Sequence, residues 1–432
     1  MSRIAKLRLL TRDKALRDVF YLTLTQAATL IVPLLTFPWA TRVLLPEHYG
    51  HYAFGLAVIG YVMILADFGF QYVASAKAVE LRDDQLRSDR YYWTVQWAKL
   101  LLFLGAVAIL LVVAFLSASI RHALPVIIPS LPLVLGTILQ SQWLLMARGQ
   151  LPLPSILGVA IRLVFVVPVF FLVRKPGDEW ILALLNAGGF FFAGLAGAAV
   201  VWRKRLVRSV RLPRWSEMRA AYADAVHLFI AQGAVNLYGS TNAVMLGLVS
   251  NKAELAYFAS AERLRGVATT PIVPVTNAYF ARISRGLQED PQGIATLLRN
   301  LTIALMLGLG VISLVTVAGA DLIVRLVMGP GFSGAVPVLR MLAPIPVLVA
   351  LNTVLGNIVM VNLGYRKVLS LILTVCGGVN VIMLAFMASL FGGMGAAASL
   401  TATEFFVTAA MWLFLRRKGV EVFSRKLVPT AA

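Results

Sequence analysis

Cysteine is almost missing from these 432 residues. Cys376 is the only one, so an internal disulfide framework and a thiolate metal site are both excluded. Histidine is nearly as scarce, with four. The His48-x-x-His51 pair lacks the neighbouring carboxylate pattern of a zinc centre, so neither a metal catalyst nor any other cofactor is expected. Acidic residues number 19 against 39 lysines and arginines. No G-x-x-x-x-G-K-[ST] phosphate loop occurs, which leaves an ATP-driven pump unsupported. Also lacking is any polar stretch long enough to form a separate soluble domain.

Apolar sequence fills that space. Hydrophobic residues make up 59% of the chain and charged ones 13%, with a mean hydropathy of +0.83, far from a soluble composition. Twelve windows of about 20 residues are apolar enough to cross a bilayer. The spacing predicts a cytoplasmic N-terminus over 1–18, six spans over 19–201, a basic linker over 202–221, six more spans over 222–415, and a tail over 416–432. The second window is His51 to Ser75, the fourth Ala123 to Met146, and the last two Val368 to Leu390 and Ala396 to Leu415. The expected fold is therefore an all-α polytopic membrane protein of twelve transmembrane helices.

A net charge of +20 would point to nucleic acid in a soluble protein, so the position of the charges decides. They cluster in the short links: Arg203, Lys204, Arg205, Arg208, Arg211, Arg214 and Arg219 in the central linker, then Arg282 with Arg285, Arg366 with Lys367, and Arg425 with Lys426. Arg3, Lys6, Arg8, Arg12, Lys14 and Arg17 precede the first span, which carries no cleavage signal and reads as a signal anchor. One side of the membrane collects about 27 basic residues and the other about 6, a positive-inside pattern that puts both termini in the cytoplasm. The charge is accounted for by topology and attraction to the membrane surface, with no nucleic-acid partner.

Two halves of equal span count meet at the linker. A shift of 206 residues pairs Gln26 with Gln232, Tyr52-Ala53 with Phe258-Ala259, and Asp84 with Asp290. Parallel six-helix halves around a central cavity follow, related by an axis along the membrane normal. Prolines interrupt several spans, at Pro33, Pro38, Pro125, Pro129, Pro132, Pro168, Pro271, Pro274, Pro344 and Pro346. Each removes a helix hydrogen bond and is either a hinge or a tolerated membrane proline.

Ionisable groups at membrane depth cost a few kcal/mol unless they meet water or a partner. Asp67, Lys99 and Arg162 lie at matching depth, about 12 Å in from the cytoplasmic face at 1.5 Å per residue, and are expected to form one cluster. Glu262 and Arg265 share a helix face at i, i+3, with Arg263 pointing elsewhere. Arg340 sits near the outer end of the tenth span. Glu404, far from any cation in sequence, must pair across helices, stay protonated or bind a coupling ion. The competing structural readings are snorkelling for Lys99 and Arg340, and helix-to-helix packing pairs for the others.

Several runs resemble the O-antigen type of polysaccharide repeat-unit flippase, in the multidrug, oligosaccharidyl-lipid and polysaccharide exporter superfamily. They are LPEHYGHYAFG, LADFGFQYVASAKAV, NKAELAYFASAERLRG, TTPIVPVTNAYFARIS and TATEFFVTAAMWLFLRRKG, in that order along nearly the whole chain. The resemblance implies two six-helix lobes in a V-shaped, multidrug-exporter-like arrangement. It implies a bacterial inner-membrane transporter, not an enzyme, that moves an undecaprenyl-pyrophosphate-linked oligosaccharide outward by alternating access, for O-antigen, capsule or exopolysaccharide synthesis. On that reading Arg162, Arg263, Arg265, Lys99 and Arg340 would bind substrate, since guanidinium forks suit pyrophosphate oxygens. Asp67, Glu262 and Glu404 would tune those cations or carry a coupling H+ or Na+. A polysaccharide polymerase would be a partner. The alternatives are a lipid II flippase, a multidrug or cation antiporter of the same superfamily, and a membrane glycosyltransferase or polymerase. The antiporter would favour a more acidic cavity, and the enzymes a longer outer loop than the stretch Ala320 to Gly334.

Overall fold

The computed structural model describes residues 3–420, leaving out 271, 273, 274, 277, 278, 281, 282, 284, 285 and 287–289; side chains are described from residue 33 onward, except those of 231–240 and 291. Pro271, Pro274, Arg282, Arg285, Arg425 and Lys426 lie outside the described residues, as do the side chains of the N-terminal basic residues and of Gln26 and Gln232. All regular structure among the described residues is helical.

Helix α1 runs Arg3–Asp67 and its 65 residues would reach about 98 Å as one rod. That is about three times the hydrocarbon core of a bilayer. The rod breaks at Leu45 (φ 60°), where the ring of Pro46 disfavours the α conformation for the residue before it. The last helix, Arg366–Arg417, has the same problem with 52 residues and breaks at Gly392 (φ 55°, ψ −134°). There the freed Gly393 N–H donates to the Glu254 carboxylate at 2.8 Å.

Among the described residues, eight helices are long and apolar enough to cross a membrane, including Gln85–Leu116, Glu179–Arg203 and Gln292–Ala318. The chain is a multi-pass membrane protein. Two of these, Pro33–Glu80 and Arg366–Arg417, contain the bends at Leu45 and Gly392. The expected windows Tyr222 to Val249 and Leu255 to Phe280 include residues whose side chains or placement lie outside the described set, and the number twelve remains an expectation.

The chain divides into two compact units, residues 1–240 and 241–432. In the first, α1 is followed by α2 (Phe70–Glu80), α3 (Gln85–Leu116), α4 (Ala118–Gln140), α5 (Gln142–Ala147), α6 (Pro152–Leu172) and α7 (Glu179–Arg203), and α8 (Trp215–Val249) crosses the unit border. Helix α4 lies along α7 at backbone contact: a Cβ added to Gly136 would fall 2.4 Å from the Phe190 carbonyl, and one added to Gly194 would fall 2.2 Å from that of Gly136. Lipid supplies no hydrophobic drive between helices, so such small-residue crossings supply the van der Waals contact that holds them. Pro125, Pro129 and Pro132 do not interrupt α4. Its end is Ser141, a non-glycine residue at φ 47°.

The second unit contains α9 (Lys252–Thr269), α10 (Pro291–Ala318), α11 (Ala320–Val327), α12 (Ala335–Leu342), α13 (Ile345–Asn352), a π-helical segment (Thr353–Met360) and α14 (Arg366–Arg417). Pro344 separates α12 from α13. A buried polar network ties α8 to both arms of the bent α14: Asn380 Nδ2 donates to Asn242 Oδ1 (3.2 Å), while Ser399 and Thr403 hydroxyls donate to Asn380 Oδ1 (3.1 and 3.0 Å).

Candidate functional site

Two helix interruptions in the first unit flank a polar hollow. At Asp67, α1 ends because Phe68 and Gly69 both take left-handed backbone (φ 48° and 78°). For phenylalanine this conformation costs about 1–3 kcal/mol. Compensation comes from packing: the Phe68 ring stacks on Phe229 at 4.4 Å and meets Tyr222 edge-on at 5.9 Å. At the second interruption Ser141 leaves its hydroxyl among side chains of α3, receiving Gln96 Nε2 at 2.9 Å and lying 3.3 Å from the Tyr92 hydroxyl. Irregular backbone at membrane depth is tolerated where protein buries it or a wet cavity meets it.

Between these breaks lies a cavity of about 240 Å³ lined by Asp67, Gln71, Lys99, Thr137, Gln140 and Gln142 among others. Lys99 Nζ donates to Asp67 Oδ1 at 2.6 Å. The lysine side chain is 6% exposed and the aspartate 43%, so the ammonium faces inward and the carboxylate meets the open part of the cavity. Snorkelling is thereby overturned for Lys99, whose charge is held inside by its partner. The expected three-residue cluster is also corrected, since Arg162 lines a different cavity. Depth along a helix follows from counting residues, but azimuth turns by about 100° per residue and depends on packing.

Arg162, on α6, is 4% exposed. Its guanidinium lies 4.0 Å from the centroid of the Phe190 ring, a cation–π contact worth about 0.5–2 kcal/mol. Nε and Nη1 are buried with no hydrogen-bond partner among the described residues. The adjoining cavity, lined also by Thr36, Tyr52 and Asn186, measures about 30 Å³. That is room for one or two waters, and a pyrophosphate would require it to widen.

In the second unit, Glu262 and Arg265 form the expected i, i+3 pair, with Arg265 Nε donating to Glu262 Oε2 at 2.7 Å. Arg265 borders a largely apolar cavity of about 270 Å³ with Leu264, Ile312 and Pro346. Arg263 is half-buried on the same helix. Arg340 is exposed, bonded to Asp321 and to the Val317 carbonyl. Glu404 accepts from Asn352 Nδ2 at 2.6 Å, and Asn352 Oδ1 in turn accepts from the Thr408 hydroxyl at 2.7 Å. Asn352 is the last residue before the π-helical segment, a kind of irregularity frequent at functional sites.

A search for charges alone passes over the uncharged polar groups. Gln96, Asn186, Asn352 and Asn380 each stand in an apolar run, and asparagine or glutamine at membrane depth is the signal that would have found them.

Three comparisons bear on kinship. A family model described as "Polysaccharide biosynthesis protein" matches residues 15–287. A "Putative O-antigen transporter" of Escherichia coli (strain K12) is 28% identical over 407 residues, 94% of this chain and 98% of that protein. A second "Putative O-antigen transporter", from Shigella dysenteriae, is 22% identical over 91% of this chain and 98% of its own length. Among solved structures, "Lipid II flippase MurJ, inward closed conformation" superposes with a TM-score of 0.71 at 10% identity, over 93% of this chain and 87% of that one. An inward-facing multidrug resistance MATE family transporter of the MOP superfamily gives 0.67 at 13% identity, over 93% and 97%. At these identities the likeness is one of fold, and it fits the all-helical architecture. With a match over well above half its length, the chain belongs to the polysaccharide biosynthesis protein family.

Proposed function

We propose that the chain is a flippase that carries lipid-linked oligosaccharide repeat units, with undecaprenyl pyrophosphate as the lipid carrier, across the bacterial inner membrane for O-antigen or related surface polysaccharide. The geometric observation that carries this reading is the buried Lys99 ammonium paired with Asp67 on a 240 Å³ polar cavity between two helix breaks. Relatedness to the O-antigen transporters over nearly their full length supports the same reading. Discontinuous helices that expose backbone and charge at membrane depth are the usual binding device of secondary transporters.

In the proposed cycle Lys99 exchanges its carboxylate partner for a phosphate of the lipid head group. Both partners present hydrogen-bond-accepting anionic oxygens, so the buried ammonium stays paired throughout and the desolvation cost is not met twice. Arg162 joins once its cavity widens, offering the unpaired N–H groups of its fork. Asp67, released by Lys99, takes up a proton, and Glu404 with Asn352 is the corresponding group of the second unit; an H+ or Na+ gradient is then the energy source. Cytoplasmic termini and a twelve-span frame belong to the same proposal, as does assembly with a polysaccharide polymerase. Transport without bond-making chemistry is favoured over glycosyl transfer because the stretch Ala320 to Gly334 is short and occupied by a helix and a turn.

The test is complementation of a strain lacking its O-antigen translocase, with protein level in the membrane measured in parallel. Lys99→Met, which leaves Asp67 unpaired, should cut surface polysaccharide at least tenfold. Asp67→Asn should retain the protein but lose any dependence of export on the proton gradient. Wild-type export by both variants would remove the pair from the mechanism, and rescue of a lipid II flippase depletion instead of the O-antigen defect would reassign the cargo.

A further inference from the structure

The link between α7 and α8 carries an arrangement that transport does not use. Its two ends are fastened to the start of α3. Asp89, 2% exposed, accepts the Arg208 N–H (3.1 Å), the Ser209 N–H (2.9 Å) and the Ser209 hydroxyl (2.9 Å). Gln85 Nε2 donates to the Leu206 carbonyl at 3.0 Å and Trp93 Nε1 to that of Ser209 at 2.9 Å. At the far end Arg90 pairs with Glu217. Val207 and Met218 are buried on either side.

Between those anchors the chain turns its apolar groups outward. Val210, Leu212 and Trp215 are 65%, 79% and 63% exposed, and Arg208, Arg211 and Arg214 between them are exposed as well. A solvated loop gains nothing from three large exposed apolar side chains held in fixed backbone, so their exposure calls for an apolar partner. The alternation of guanidinium and hydrocarbon calls for one that is also anionic. The level is marked too: Trp93 and Trp202, whose rings lie 6.2 Å apart, form the kind of aromatic pair that settles at head-group depth. Trp202 is the next-to-last residue of the membrane-crossing α7.

We infer that residues 208–215 form an interfacial strap that docks on anionic phospholipid, with Arg208, Arg211 and Arg214 on the head-group phosphates and Val210, Leu212 and Trp215 in the boundary with the acyl chains. Each basic residue near an anionic surface contributes about 1 kcal/mol, roughly a fivefold change in apparent affinity. The buried Asp89 holds the strap in its docking conformation, lowering the ordering cost of binding.

The full-length protein, with Cys376→Ser as background, is labelled with an environment-sensitive fluorophore at Leu212→Cys and placed in nanodiscs of phosphatidylcholine with increasing phosphatidylglycerol. The emission of this label should be blue-shifted relative to one at Asp83→Cys, and the shift should grow with phosphatidylglycerol. With Arg208, Arg211 and Arg214 all changed to Gln, the half-saturating fraction of phosphatidylglycerol should rise at least fivefold, while thermal unfolding in pure phosphatidylcholine stays as in the parent. A label as water-exposed as that at position 83 in every lipid overturns the strap. Shielding that ignores lipid charge overturns the anionic partner. Both leaflets carry the same lipid, so neither outcome depends on membrane orientation or on the transported molecule.

Discussion

Arg162→Met should raise the thermal midpoint of the purified protein by a few degrees while reducing polysaccharide export at least tenfold. The two effects have one cause. A cation in the apolar part of a membrane helix costs about 2.5–3.5 kcal/mol, and Arg162 recovers only part of that from the face of Phe190. Two of its nitrogens have no hydrogen-bond partner among the described residues, and exchanging a buried charge for a well-packed apolar group of similar length is often stabilising. A residue that destabilises its fold is retained for what it does, the usual trade at functional sites. Charge-assisted hydrogen bonds to phosphate contribute about 1.5–3 kcal/mol each, so losing one weakens binding by roughly tenfold to a hundredfold. Arg162→Lys keeps the charge but not the two-pronged geometry, and its export should fall between the two. A methionine variant that exports normally would take Arg162 out of the mechanism. One that loses stability along with export would make it a packing residue.

That prediction rests on an environment that could not be read from the chain. The run of apolar residues around Arg162 announces a buried charge and fixes its depth, yet the ring beneath it, Phe190, lies on α7, 28 positions away in sequence. The expected grouping of Asp67, Lys99 and Arg162 drew on depth alone; the Asp67–Lys99 bond is in place, and Arg162 faces another cavity. Helix breaks divide in the same way. Leu45 precedes Pro46, and Gly392 falls between the windows ending at Leu390 and starting at Ala396, so both bends had a local cause in the sequence. Phe68 and Ser141 had none. Each holds left-handed backbone through distant contacts, with Phe229 and Tyr222 in one case and Gln96 and Tyr92 in the other. Tertiary packing overrode local preference at the two places that shape the polar cavity, which is where sequence reasoning is expected to fail when strain serves a site.

The largest effect is expected at the crossing of α4 and α7. Gly194→Leu should leave little folded protein in the membrane, and with it no export. A Cβ at position 194 would stand 2.2 Å from the Gly136 carbonyl oxygen and 2.7 Å from its Cα. Both are backbone atoms, which no change of rotamer can move aside. Relief requires the helices to part by at least an ångström along a seam that continues through Gly197, where a Cβ would meet the Gln140 carbonyl at 2.9 Å. Overpacking of this kind costs about 1–3 kcal/mol in a core that can adjust. Here the seam also positions Gln140, which lines the cavity beside Asp67 and Lys99, so even a folded remnant should transport poorly. Gly105→Leu is the control. Position 105 lies on the exposed face of α3 with no heavy atom within 4 Å of an added Cβ, and leucine there should leave membrane level and export near wild type. Equal loss from both substitutions would mean that α3 and α7 tolerate no added bulk at all, and the close crossing would lose its special role. Normal level and export with Gly194→Leu would mean that the two backbones do not approach as closely as 2.2 Å implies. Between those outcomes, membrane level read beside export separates a seam that builds the unit from one that only tunes its cavity.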